Sequence, residues 1–153
     1  MNKLEATAVA AYHRVTSMHD ENPFELGRAR IFKVSEEGKL TLLAIVPDVY
    51  IGLTMIVAGG ELFGDAPILG LETCGWAAPI SGMKDDDETM PSMHPKRRRV
   101  RLVSVVNRDL DTASALAFQD DEHSVISDDG SATGSLAEAL RDAMQRLRAV
   151  TAS

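Results

Sequence analysis

Glu72, Cys74, His94 and His123 are the side chains of this chain whose types suit proton transfer, nucleophilic attack or metal ligation. A carboxylate and an imidazole exchange protons, an imidazole activates a neighbouring thiol, and three or four such groups at fixed geometry hold zinc. Glu72 and Cys74 stand two residues apart, so on a strand they share one face. His94 and His123 reach them only if the fold brings distant segments together. No Cys-x-x-Cys, His-x-His or His-Glu-x-x-His spacing is present. The plain expectation is a buried Cys74 behaving as a small hydrophobe and a His94 that tethers its loop by hydrogen bonds. The chemical alternative is a metal-dependent or Cys/His hydrolase built on His94 with Glu72, Cys74 or His123.

A second constellation is made of charge. Lys96, Arg97, Arg98, Arg99 and Arg101 follow closely on the acidic run Asp85, Asp86, Asp87 and Glu88. Guanidinium groups grip phosphates and carboxylates, but a nucleic-acid reader also needs aromatic or base-reading side chains beside them, and the basic run has none. Opposite charge blocks on one loop suit self-pairing across a two-fold axis, the commonest oligomer symmetry. Trp76, the single tryptophan, reads as a core anchor inside a strand, with an interface role as the alternative.

Cofactor signals are absent from the pattern. Gly59, Gly60 and Gly64 lack the lysine and the strand-to-helix context of a phosphate loop, and there is no Gly-x-Ser-x-Gly elbow. Asp128-Asp129-Gly130 is a fragment of a calcium loop without the remaining ligands. The sequence thus assigns neither a cofactor nor a metal.

The bulk properties narrow the partners. A net charge of −7 and a pI near 5.0 repel phosphate backbones, so nucleic acid is not the expected partner. One cysteine excludes an internal disulfide and a multi-cysteine zinc site. The longest apolar stretch, 49–58, is far short of a membrane span. Met1-Asn2-Lys3-Leu4-Glu5 lacks the charged-then-apolar pattern of a signal peptide, and the expectation is a cytoplasmic protein of one domain, residues 1–153.

The elements that must position these groups follow from periodicity. Leu4, Ala8, Ala11, Tyr12, Val15 and Met18 line one face of a helix over 3–19. Arg28–Val34 and Lys39–Val46 make a hairpin around 35–38. Val49–Ala58 is β-branched, yet Asp48 offers a cap and Gly59-Gly60 a stop, which predicts a helix. Pro67–Ile80 reads as a strand interrupted by Gly75 and Pro79, and 81–97 as a long charged surface loop. Val100–Val106 and Ala113–Phe118 make a second hairpin. Residues 120–134 are polar, with a short island at Val125 and Ile126. Ser135 and Glu138 form a capping box ahead of a helix lined by Leu136, Leu140, Met144 and Leu147. The order predicts an α+β fold: a mostly antiparallel sheet of about five strands, with N-terminal, middle and C-terminal helices packed on one face.

Glu72 and Trp76, the segment Pro91-Ser92-Met93-His94-Pro95-Lys96-Arg97 and the apolar strand Val100–Val106 resemble a pattern in small proteins of actinobacteria and their bacteriophages. In that pattern an apolar strand ends in a glutamate and a tryptophan, and the variable loop that follows closes with Pro-Ser-x-His-Pro-x-Arg. The resemblance implies no activity; it implies an actinobacterial or phage source and marks the loop before Val100 as more than filler. The expected role is a non-catalytic interaction or accessory protein. Its partner would be itself or another protein, and its contacts would involve Trp76, Asp85, Asp86, Asp87 and Lys96 to Arg99. A virion assembly component is the other alternative.

Overall fold

The computed structural model describes residues 2–18, 24, 28–59, 63, 65–77, 95–129 and 135–151. Among these residues three helices and six strands run in the order α1 (Lys3–Thr16), β1 (Ala29–Val34), β2 (Leu40–Val46), α2 (Val49–Ala58), β3 (Ile68–Ala77), β4 (Arg98–Asn107), β5 (Thr112–Phe118), β6 (Asp121–Asp128) and α3 (Ser135–Thr151). The fold is α+β, as expected, with every strand pair antiparallel and the spatial order β2-β1-β3-β4-β5-β6.

Local chemistry explains the elements. The Asn2 side chain accepts from the Glu5 amide at 2.7 Å and the Glu5 carboxylate accepts from the Asn2 amide, a capping box that starts α1. The helix ends at Thr16, three residues earlier than the sequence suggests. Asp48 caps α2 by accepting from the Ile51 amide at 2.9 Å, and this cap outweighs the β-branched composition of 49–58. Gly38 takes φ +86° in the β1–β2 turn, a left-handed conformation that costs glycine nothing. The strand β3 runs without interruption through Gly75, which pairs with Val100.

Two features depart from the sequence reading. The polar stretch at 121–128 is a sixth strand, paired with β5 at the edge of the sheet. It escapes the hydrophobic pattern because an edge strand leaves most of its side chains in water. The helices also divide between the two faces of the sheet. α1 covers Phe32, Val34, Val103, Val105 and the alanines of β5, whereas α2 and α3 cover Ile31, Leu69, Leu71 and Val106. The run Val103–Val106 is continuous rather than alternating, which is what a strand covered on both sides requires.

Between the layers the packing is close. Gly70 pairs with Phe32, and a Cβ added at Gly70 would overlap the Phe32 ring. In the other layer, Met144 is fully buried among Leu140, Leu147 and Ile56. Leu136 is only partly covered. The Ser135 side chain, and with it the expected capping box, lies outside the described residues.

Candidate functional site

On the face covered by α1, alternation along β3 lines up Glu72, Cys74 and Trp76, and along β4 it lines up Arg99, Arg101 and Val103. Register then sets the neighbours: Arg30 of β1 opposite Glu72, Arg101 opposite Cys74, and Arg99 opposite Trp76. The shared face of Glu72 and Cys74 is as the spacing predicts.

Glu72 is buried and, among the described residues, pairs with two arginines. Its side chain is 1% exposed and that of Arg101 is 0% exposed. Glu72 Oε1 accepts from Arg30 Nη1 at 3.1 Å, while Oε2 accepts from Arg101 Nε at 2.7 Å and from Arg101 Nη2. Arg101 then reaches into the last turn of α1. Its Nη1 donates to Thr16 Oγ1 and its Nη2 donates to the Tyr12 carbonyl at 3.2 Å. The guanidinium carbon stands 4.2 Å from the centre of the Tyr12 ring. A cation beside the last turn of a helix is favoured by the helix dipole, and here it shares the Tyr12 carbonyl with the Thr16 hydroxyl. Arg30, Tyr12 and Thr16 do not stand out in the sequence as site residues, although an arginine inside the apolar strand 29–34 is a usable signal of a buried partner.

Cys74 sits beside this network. Burial, and then the Glu72 carboxylate, push its thiol from 9.0 up to about 11. A thiol in that range is protonated at neutral pH, the opposite of what a nucleophile needs. Burial also raises the Tyr12 phenol.

Further along β3 and β4, by about 7 Å at two residues of strand rise, the face changes character. The guanidinium carbons of Arg97 and Arg99 each stand 4.8 Å from the centre of the Trp76 ring. Trp76 is half-buried, and among the described residues it belongs to neither core cluster. Arg98 points to the opposite face. There it stacks on Phe118 at 3.8 Å and binds Asp120 through both Nε and Nη2. That contact raises the Arg98 guanidinium and lowers the Asp120 carboxyl. The basic run is therefore divided between faces, and only Arg97, Arg99 and Arg101 share the side of Trp76. Lys96 lies in the exposed turn ahead of β4.

His123 is not brought to Glu72 or Cys74. It lies on β6, two strands beyond β4, is 95% exposed, and its Nε2 is 3.7 Å from Glu122 Oε1. His94 and the acidic residues Asp85, Asp86 and Asp87 lie outside the described residues. Among the described residues no three His, Cys, Asp or Glu side chains gather as ligands for one metal ion. No helix among them is long and apolar enough to cross a membrane.

A second surface has no counterpart among the expected site residues. α2 bears no charged residue, and its solvent side consists of Tyr50, Ile51, Thr54, Met55 and Ala58. Tyr50 is 82% exposed, Ile51 43% and Met55 38%. Beside them a groove of about 500 Å³ runs between α2 and α3, lined by Tyr50, Ala58, Ala139, Ala143 and the Asp142–Arg146 pair. A run apolar on every side signals a helix with something to cover it on both sides.

Comparison with known proteins finds no family model, no curated protein and no solved structure that matches this chain.

Proposed function

We propose that this protein is a non-catalytic interaction protein that works through protein contacts, and that the first of these is with a second copy of itself through α2. One observation carries the reading: an uncharged, solvent-facing apolar helix side in a chain of net charge −7. Two like-charged copies meet most readily where neither presents charge. The same side holds a projecting ring, Tyr50, and a receiving groove between α2 and α3, and a two-fold pair needs each copy to supply both.

The sheet edges fit closure at two copies. β6 carries Asp121, Glu122, His123 and Asp128 along its edge, a device that discourages strand addition. β2, Leu40–Val46, has no charge, but a bulge at Leu43 breaks its register with β1. The helix surface, rather than a strand ladder, is left as the contact.

The test is the sedimentation of the full chain at micromolar concentration, alone and with Tyr50→Asp. A dimer that becomes a monomer in the variant is expected. A wild-type monomer, or a variant dimer of unchanged affinity, overturns the reading.

A further inference from the structure

We propose that the groove between α1 and the β1–β2 turn binds a fatty acid, its carboxylate held by Arg14 and Lys39 and its acyl chain laid along β2. The site is on the opposite side of the sheet from α2 and does not rest on the self-pairing reading.

The groove encloses about 420 Å³, within the range of small-molecule sites, and its lining includes Ala10, Ala11, Val34 and Leu40. Such sites combine apolar walls with a few polar groups that fix orientation. Here those groups are two cations. Arg14 of α1 and Lys39 at the end of the turn both line the groove, and both are exposed. Neither makes an ion pair among the described residues; Arg14 Nη1 donates to the Ser17 hydroxyl at 3.3 Å. No acidic residue lines the groove, and Glu36 and Glu37 of the adjoining turn bridge to neither cation.

Apolar surface continues past the groove. Leu40, Leu42 and Ile45 pair with Val34, Phe32 and Arg30, and directly opposed residues share one side of the sheet. All three therefore lie on the side that α1 covers. The helix packs chiefly on β4, β5 and β6, which leaves Leu42 part-exposed and Ile45 52% exposed. From Val34 to Arg30 is four rises of about 3.4 Å, so about 14 Å of apolar edge leads away from the groove.

An anionic head on an unbranched apolar chain matches this layout. A compact anion would leave the lane along β2 uncovered, and an uncharged lipid would leave both cations without a counterpart. A single carboxylate also suits a chain of net charge −7 better than a phosphate head of higher charge.

Isothermal titration calorimetry of the full-length protein with decanoate, kept below micelle-forming concentration, tests the site. One saturable site per chain is expected, with octanoate about ten-fold weaker because two fewer methylenes are buried. Decanol, which keeps the chain and lacks the charge, should bind at least about ten-fold more weakly. Decanoate should be weakened to the same degree by the double variant Arg14→Gln with Lys39→Gln, at two exposed positions. Ala10→Phe fills the groove from an exposed helix position and should abolish binding. No saturable binding, decanol equal to decanoate, or unchanged affinity in the double variant overturns the proposal. Unchanged binding in Ala10→Phe does so too, and moves the ligand to another surface such as the α2–α3 groove. An acidic amphipathic peptide that binds more tightly than decanoate, and is lost in Ala10→Phe, makes the groove a protein-docking surface and equally overturns it.

Discussion

Glu72 of β3 and Arg101 of β4 stand diagonally across the strand pair and hold each other with both sides fully buried. The bond joins more than two strands. Arg101 passes on to Tyr12 and Thr16 of α1, and Glu72 passes back to Arg30 of β1. One ion pair thus fixes the end of a helix on three adjacent strands.

Removing the anion leaves Arg101 charged in the interior, where water cannot compensate it. Glu72→Ala is expected to lower unfolding stability by about 3–5 kcal/mol, read as a shift of the urea midpoint. The double change Glu72→Leu with Arg101→Met should recover most of that loss, because it removes both charges. A double variant as unstable as the single one contradicts the account.

Cys74 supplies a pH dependence. Its thiol is raised from 9.0 to about 11 by burial and by Glu72, so between those values the folded chain keeps a proton that the unfolded chain has lost. The stability tied to Cys74 is complete below about pH 9 and drains away as pH rises to about 11. Denaturant midpoints should fall over that window in the wild type and fall less in Cys74→Ala. Tyr12, also raised, adds a slope common to both proteins. Equal slopes in the two proteins would remove Cys74 from the explanation.

Gly70 is a position where only hydrogen fits. In Gly70→Ala the new methyl displaces the Phe32 ring from its place over β3, and overpacking of this kind costs about 1–3 kcal/mol. The companion change Phe32→Leu, which shortens the ring's reach, should make Gly70→Ala less harmful than it is alone. Thermal unfolding of the four proteins in the cycle measures that coupling.

Tyr50 should behave in the opposite manner. Being 82% exposed, it contributes little to the folded monomer, and Tyr50→Asp is expected to change monomer stability by no more than about 0.5 kcal/mol. Loss of the dimer with the fold intact separates a contact residue from a core residue. A large drop in stability under conditions where both proteins are monomeric counts against the exposed placement of α2.

The sequence by itself determined the elements whose signals are local. Asn2 with Glu5, and Asp48 with the Ile51 amide, are caps three residues apart. The helical face of Leu140, Met144 and Leu147 and the shared face of Glu72 and Cys74 follow from the repeats of helix and strand. The choice of helix over strand at Val49–Ala58 rested on such a cap and holds.

Tertiary structure alone decided how those elements meet. Arg101 and Glu72 are separated by 29 residues, Arg30 and Glu72 by 42, and Arg101 and the Tyr12 carbonyl by 89. No local pattern encodes such pairings, because they depend on which strands become neighbours and in what register. The same holds for the partners of Arg99 and Arg98: strand alternation turns the two to opposite faces, but only the folded sheet puts Trp76 against one and Asp120 against the other. β6 was hidden for a related reason: its pattern is that of water on one side and of β5 on the other, and only the finished sheet supplies β5. What chemistry the charged residues have left to offer is thus set by the partners that folding assigns them.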